Sequence, residues 1–185
     1  ILFTHEHADH TAGLDDVRPI SFKNGPIPIY AHKRVIENLK HRFLYLFEKQ
    51  NDYAGDIHLI PNEVKENKSF NLHNFTVKPI SYSHHKLQVF GYRINDFAYI
   101  TDLKKIDEKE KTKLLNLNCL VLNALRHKEH YSHINLEQAL KIINDVKPKK
   151  TYLTHIAPQM GYHRNTEKLL PESVSIAYDG LEINI

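Results

Sequence analysis

The sequence predicts an α/β domain with an antiparallel or mixed sheet. Short β-rich runs alternate with a few helical stretches, a pattern that mixes strand and helix within one layered fold. Hydrophobic residues make up 41% and charged residues 25%, near globular averages, which excludes disorder, collagen and coiled coil. The 185 residues suit a single domain over 1–185, since domains run to roughly 100–150 residues and seldom split below about 250.

The elements follow in order. Ile1–Thr4 reads as a strand opening into a histidine cluster, and Pro28–Ala31 as a second strand. Lys33–Lys49 places Val35, Ile36, Leu39, Phe43, Leu46 and Phe47 on one helical face. A strand is expected over Ile57–Pro61, within a polar, turn-rich surface connection from Gly55 to Asn74. Phe75–Ser81 is the next strand. Leu87–Ile94 and Phe97–Thr101 flank Asn95-Asp96 as a tight hairpin. Asp107–Leu115 is a short charged helix, and Cys119–Asn123 an apolar strand that makes Cys119 a core residue. Leu136–Val146 is a helix with Asn135 as N-cap and Gln138 as capping-box partner; Leu136, Ala139, Leu140, Ile143 and Val146 share a face, and Pro148 stops it. Lys150–Thr154 is a strand. Val174–Tyr178 and Leu181–Ile185 flank Asp179-Gly180, a two-residue hairpin signal because both turn positions need positive φ.

Composition narrows the function. One cysteine cannot form an internal disulfide, which favours a reducing, cytoplasmic compartment. No apolar run approaches the roughly 18 residues of a membrane span, so no membrane partner is expected. Twenty-five basic and 22 acidic residues leave a net charge of +3, too weak a bias to favour nucleic acid. The chain starts at Ile1, within a strand-like run; the expectation is that an N-terminal portion carrying the fold's leading strands is missing.

Histidine is abundant, with 14 in all, and Thr4-His5-Glu6-His7-Ala8-Asp9-His10 is the densest cluster. His5 and His7 are two apart, so an extended backbone projects them to one side. Imidazole and carboxylate suit zinc, manganese or iron, and no thiolate is nearby. The alternative is a solvated histidine-rich turn or a purification tag, and a tag would lack the interleaved Asp9 and the apolar strand context.

The pattern His5-x-His7-x-Asp9-His10 after an apolar strand resembles the metallo-β-lactamase superfamily, and the resemblance runs down the chain through His84, Asp102 and His155, each expected at the C-terminal end of a strand. His85 competes with His84, but the family pattern reads through His84, Lys86, Leu87, Gly91, Tyr92, Arg93 and Ile94. Asp9 to Pro19, Ser132 to Leu140, Thr154-His155-Ile156 and Ala177 to Leu181 look like the PhnP-type phosphodiesterases, which act on cyclic phosphates. One departure is Pro158, where relatives often carry a second histidine three residues after His155.

The resemblance implies a four-layer αββα sandwich. It also implies two divalent ions, zinc or manganese with iron also accepted: His5, His7 and His84 on one, Asp9, His10 and His155 on the other, and Asp102 bridging them. Bridging lowers the pKa of a bound water toward about 7 and supplies hydroxide as nucleophile. His133 is the candidate for positioning phosphate or acting as general acid, with Lys86 as a further phosphate contact. The expected activity is hydrolysis of a small cyclic phosphate or nucleotide. The rivals are a nuclease of the tRNase Z kind, a lactonase or thioesterase, and a catalytically silent metal-binding scaffold. Phe43, Tyr45, Phe47 and Tyr53 give the Lys33–Lys49 helix either a core-covering face, a wall beside the site, or a homodimer contact. His127 and His130 share a loop with His133 and are expected to face solvent, while His32, His41, His58 and His73 receive no role.

Overall fold

The computed structural model describes residues 1–48 and 58–184. They fall into two compact units, Ile1–Lys65 and Glu66–Ile185.

The first unit holds α1 (Ala8–Thr11), a 3-10 turn (Ala12–Val17), α2 (Arg18–Asn24), β1 (Ile27–Ala31), α3 (Lys33–Arg42), a 3-10 turn (Leu44–Leu46) and β2 (Leu59–Glu63). β1 and β2 pair in parallel, from Ile27↔Leu59 to Ala31↔Glu63. The strand expected over Ile1–Thr4 is reduced to one bridge, Leu2 to Tyr30, and Phe3 is buried beside it. α3 ends at Arg42 because Phe43 leaves helical geometry at φ −128°, ψ 43°. The chain then tightens into a 3-10 turn that still buries Leu46 and Phe47, so the expected face joins Ile29, Val35, Ile36, Leu39 and Leu59 in one core. Tyr53 and Ile57 lie outside the described residues. α1 and α2 had no periodic apolar signal to announce them, since their only buried residues are Thr11 and Ser21.

The second unit is built on a seven-stranded sheet in the order β3-β4-β5-β6-β7-β8-β9. Its elements are β3 (Phe70–Leu72), β4 (Phe75–His84), β5 (Leu87–Ile94), β6 (Phe97–Ile100), α4 (Glu108–Lys111), β7 (Cys119–Asn123), α5 (Leu136–Val146), β8 (Lys150–Thr154), α6 (His163–Glu167) and β9 (Val174–Ile176). Pairing is antiparallel from β3 to β6 and parallel from β6 to β9, the mixed sheet that the alternation predicts. β7 is buried at every position, as a central parallel strand covered on both faces must be. The Asn95-Asp96 hairpin forms with Ile94 opposite Phe97 and Asn95 at φ 50°. β4 runs past Ser81 to His84; its Pro79 is compatible with a sheet because β3 pairs only with Phe75–Val77, leaving no ladder on that side of Pro79.

α5 has the expected capping box: Asn135 Oδ1 accepts from Gln138 N at 2.9 Å, and Asn135 N donates to Gln138 Oε1 at 3.1 Å. It ends at Lys147 in the left-handed region, φ 48°, directly before Pro148. The expected hairpin at Asp179-Gly180 does not form. Gly180 alone has positive φ (83°) and Leu181 N bonds Tyr178 O, a type II arrangement whose twist splays strands instead of pairing them. No strand follows over the described residues 181–184, and β9 pairs in parallel with β8.

Candidate metal centre

In the first unit, the chain leaves the Leu2 bridge extended and then coils into α1. This places His5 and His7 with ring centroids 4.6 Å apart and His5 and His10 with centroids 4.3 Å apart. Asp9 Oδ2 lies 3.2 Å from His10 Nε2. His5 is fully buried, and its Nδ1 is 3.0 Å from Thr4 Oγ1; with the hydroxyl accepting, the Nε2 lone pair is directed at the cluster. Thr11 Oγ1 donates to His7 O at 2.9 Å and fixes the turn.

Glu6, between the two histidines, points elsewhere. Arg34 of α3 grips it through two bonds, Nε to Oε1 at 2.8 Å and Nη2 to Oε2 at 3.2 Å, while Arg42 Nη1 donates to Glu6 O and Thr11 Oγ1. Burial works to raise the Glu6 carboxyl, but the Arg34 hydrogen bond, a backbone hydrogen bond and the Arg34 charge outweigh it and hold the group below its ordinary value. Sequence reasoning missed this brace. Glu6 alternates with His5 and His7 and so had to face the other way, but nothing marked Arg34 or Arg42 as its partner.

In the second unit, topology gathers the donors. β4 and β6 are both antiparallel to β5, and β7 and β8 are parallel to β6. The C-terminal ends of β4, β6, β7 and β8 therefore share one end of the sheet. His84 closes β4, Asp102 follows β6, Asn123 closes β7 and His155 follows β8, with His133 on the loop leaving β7.

Asp102, 2% exposed, is the focus. His133 Nε2 lies 2.8 Å from its Oδ1, His155 Nε2 3.3 Å and His84 Nδ1 3.9 Å, while Thr101 Oγ1 donates to Oδ2 at 2.9 Å. His84, Asp102 and His133 offer ligand atoms all within 4.8 Å of one another. Both Asp102 (φ 58°) and His155 (φ 56°) sit in the left-handed region, uncommon for residues with a side chain and sustained only by surrounding structure. Asn123 supplies part of it: Oδ1 accepts from Leu103 N at 2.8 Å and Nδ2 donates to Leu103 O at 3.2 Å. Tyr82 supplies another part by donating from Oη to Thr101 O at 2.6 Å; burial pushes its phenol well up despite that bond, so it stays a neutral donor.

The donor set suits divalent ions. His84 Nδ1 bonds Ser132 O at 3.0 Å, which puts the proton on Nδ1 and the lone pair on Nε2, the form a metal ligand requires. Imidazoles around a buried carboxylate match zinc, manganese or iron, and the one thiol, Cys119, is buried in β7 as expected. His85 and Lys86 form the exposed β4–β5 turn, His85 with φ 54°, so His84 and not His85 faces Asp102. Lys86 lines a cleft of about 430 Å³ with Glu66, Ser81, Lys105 and Glu110. His127 is exposed, as expected, with Nε2 3.1 Å from Met160 O, while His130 is half-buried with Nδ1 3.1 Å from His133 Nδ1. Pro158 begins a 3-10 turn over Pro158–Met160.

Comparison with known proteins places this architecture. A model of the β-lactamase superfamily domain matches residues 1–156. A protein of Porphyromonas gingivalis named octanoyltransferase is 36% identical over 183 residues, 98% of this chain but 37% of the relative; the chain thus spans little more than a third of that protein's length. The crystal structure of a diphosphatase from the PhnP family superposes with a TM-score of 0.89 at 34% identity, covering all of this chain and 70% of the other. Human tRNase Z, short form, shares the fold with a TM-score of 0.67 at 21% identity, over 100% of this chain and 78% of the other. Among the described residues no helix is long and apolar enough to cross a membrane.

Proposed function

This chain belongs to the β-lactamase superfamily, and from that premise we propose that it is a metal-dependent hydrolase, a phosphodiesterase cleaving a small cyclic phosphate or nucleotide. One observation carries the reading: His84, His133 and His155 converge on the buried Asp102 at one end of the sheet. The similarity to a PhnP-family diphosphatase at 34% identity favours phosphorus chemistry, and the family model runs through both units, in keeping with one domain.

The proposed ligands are His5, His7 and His84 for one ion and Asp9, His10 and His155 for a second, with Asp102 shared; zinc or manganese fits them, and iron is accepted. When bound, such ions polarise phosphoryl oxygens and make a nucleophile available at neutral pH. The chain's own residues do the rest. His133 is the proposed group that holds a phosphate oxygen or passes a proton to the leaving alkoxide; its Nε2 lies 2.8 Å from Asp102 Oδ1 and its Nδ1 2.9 Å from Ser132 Oγ. Lys86 is the proposed outer phosphate contact. The single cysteine favours a cytoplasmic setting.

Acyl hydrolysis is the second reading, favoured by the likeness to a protein named octanoyltransferase. The deciding experiment is elemental analysis of the purified protein together with assays on bis-p-nitrophenyl phosphate, cyclic nucleotides and an octanoyl thioester. Phosphodiester turnover is expected. Thioester cleavage without any phosphodiester turnover, in protein holding both metals, would replace the first reading with the second.

A further inference from the structure

The loop between β7 and α5 carries more than His133. It runs Arg126-His127-Lys128-Glu129-His130-Tyr131-Ser132-His133 and is tied along its length. Leu125 N donates to Ile134 O at 3.1 Å and Ile134 N to Leu103 O at 2.8 Å. Arg126 Nη2 reaches Glu129 O at 2.9 Å, Lys104 Nζ reaches His130 O at 2.7 Å, and Asn135 Nδ2 reaches His127 O at 3.0 Å.

On this fixed loop Tyr131 is 71% exposed. Its neighbours are rings: His130 at 4.5 Å and His85 at 5.6 Å, the latter edge-on at 86°. His130 is in turn 5.1 Å from His133, whose Nε2 meets Asp102. Tyr131 therefore stands one ring removed from the imidazole that contacts the central carboxylate. Scattered surface aromatics need no explanation. Here, however, the backbone under the ring is already ordered, so a ligand stacking on it has little loop entropy to overcome. A phenol ring also offers a large, stiff contact face.

We infer that Tyr131 is a stacking platform for a planar ring on the substrate, so that the site takes base-bearing phosphodiesters ahead of base-free ones. The inference rests on the phosphodiesterase reading and names its substrate class. His130 and His85 both pack against the platform.

The test compares two substrates with the same five-membered cyclic phosphate, adenosine cyclic 2′,3′-phosphate and glycerol cyclic phosphate, on manganese-loaded wild type, Tyr131→Ala and Tyr131→Phe. Calorimetric binding of adenosine monophosphate to the same proteins supplies a readout independent of turnover. In Tyr131→Ala the KM for the adenosine substrate and the Kd for adenosine monophosphate should each rise by roughly tenfold, as loss of one base-stacking aromatic implies. The glycerol substrate should be unaffected, and Tyr131→Phe should behave as wild type. An equal change for both substrates, or none for the adenosine ligands, overturns the inference while leaving the phosphodiesterase reading intact. Failure of wild type to hydrolyse either substrate, with nucleotide binding still dependent on Tyr131, instead removes the reading and keeps the platform.

Discussion

Asp102 is a buried carboxylate that three imidazoles approach within 4 Å, and such a group is stable only when paired or bound to a cation. Asp102→Ala should therefore lower bound metal to one ion or none per chain by elemental analysis; two tightly held ions in the variant would rule out the shared-ligand role. His133→Ala should keep both ions and lose about 10²–10⁴-fold in kcat, the usual contribution of a proton-transfer group. Loss of metal in that variant would make His133 a ligand. The Arg34 grip on Glu6 fixes the backbone between His5 and His7, so Arg34→Met should weaken metal binding by about 10–100-fold in a chelator competition, the typical effect of an outer-shell contact. Unchanged affinity would reduce the pair to a surface ion pair. Of the proposed ligands, His5, His7, Asp9 and His10 could be picked out by residue type and spacing, which metal chemistry restricts, whereas His84, Asp102 and His155 came from the family resemblance. The brace could not, because an arginine on α3 looks like any solvated helix residue until the fold brings it to Glu6.

The elements that buried a full face were legible in the same way. β5, β7, α5 and β8 have the expected bounds, since each carries a periodic or continuous apolar run that only one arrangement can bury. β3, α1, α2 and α6 are short and bury few side chains, which leaves no periodic trace. The Asp179-Gly180 turn had the right residues, but β9 found a parallel partner in β8, and the described residues 181–184 form no strand. Two substitutions measure the legible elements. Asn135→Ala removes the α5 cap and should cost about 1 kcal/mol in denaturant unfolding; no change would mean the capping box contributes nothing in this context. Gly91 in β5 is tighter: a Cβ there would collide with Ile100 Cδ1 and lie 2.8 Å from Tyr99 O and 3.0 Å from Tyr82 Cε1. Gly91→Ala should destabilise by about 1–3 kcal/mol through overpacking. Because Tyr82 bonds Thr101 beside Asp102, it should also weaken metal affinity. Destabilisation with metal affinity untouched would show that the Tyr82 contact is structural alone.

At the scale of the whole molecule, the proposed ligands are divided in sequence between residues 5–10 of the first unit and residues 84–155 of the second. A set so dispersed cannot exist in the unfolded chain, so metal binding is linked to folding. An ion at 100 times its dissociation constant adds about 2.7 kcal/mol of stability, which for a chain of this length raises the unfolding midpoint by roughly 5–10 °C. Protein stripped with a chelator should therefore melt lower than the same protein after manganese or zinc is restored, and the shift should grow with metal concentration. Asp102→Ala should lose most of the shift. The shape of the transition adds a second criterion. If both segments supply ligands, restored metal should move the unfolding of both units together, as followed by hydrogen exchange at amides in β1 and in β7. Protection gained only in β7 would confine the ligands to the His84, Asp102, His133 and His155 group and remove His5, His7, Asp9 and His10 from the set.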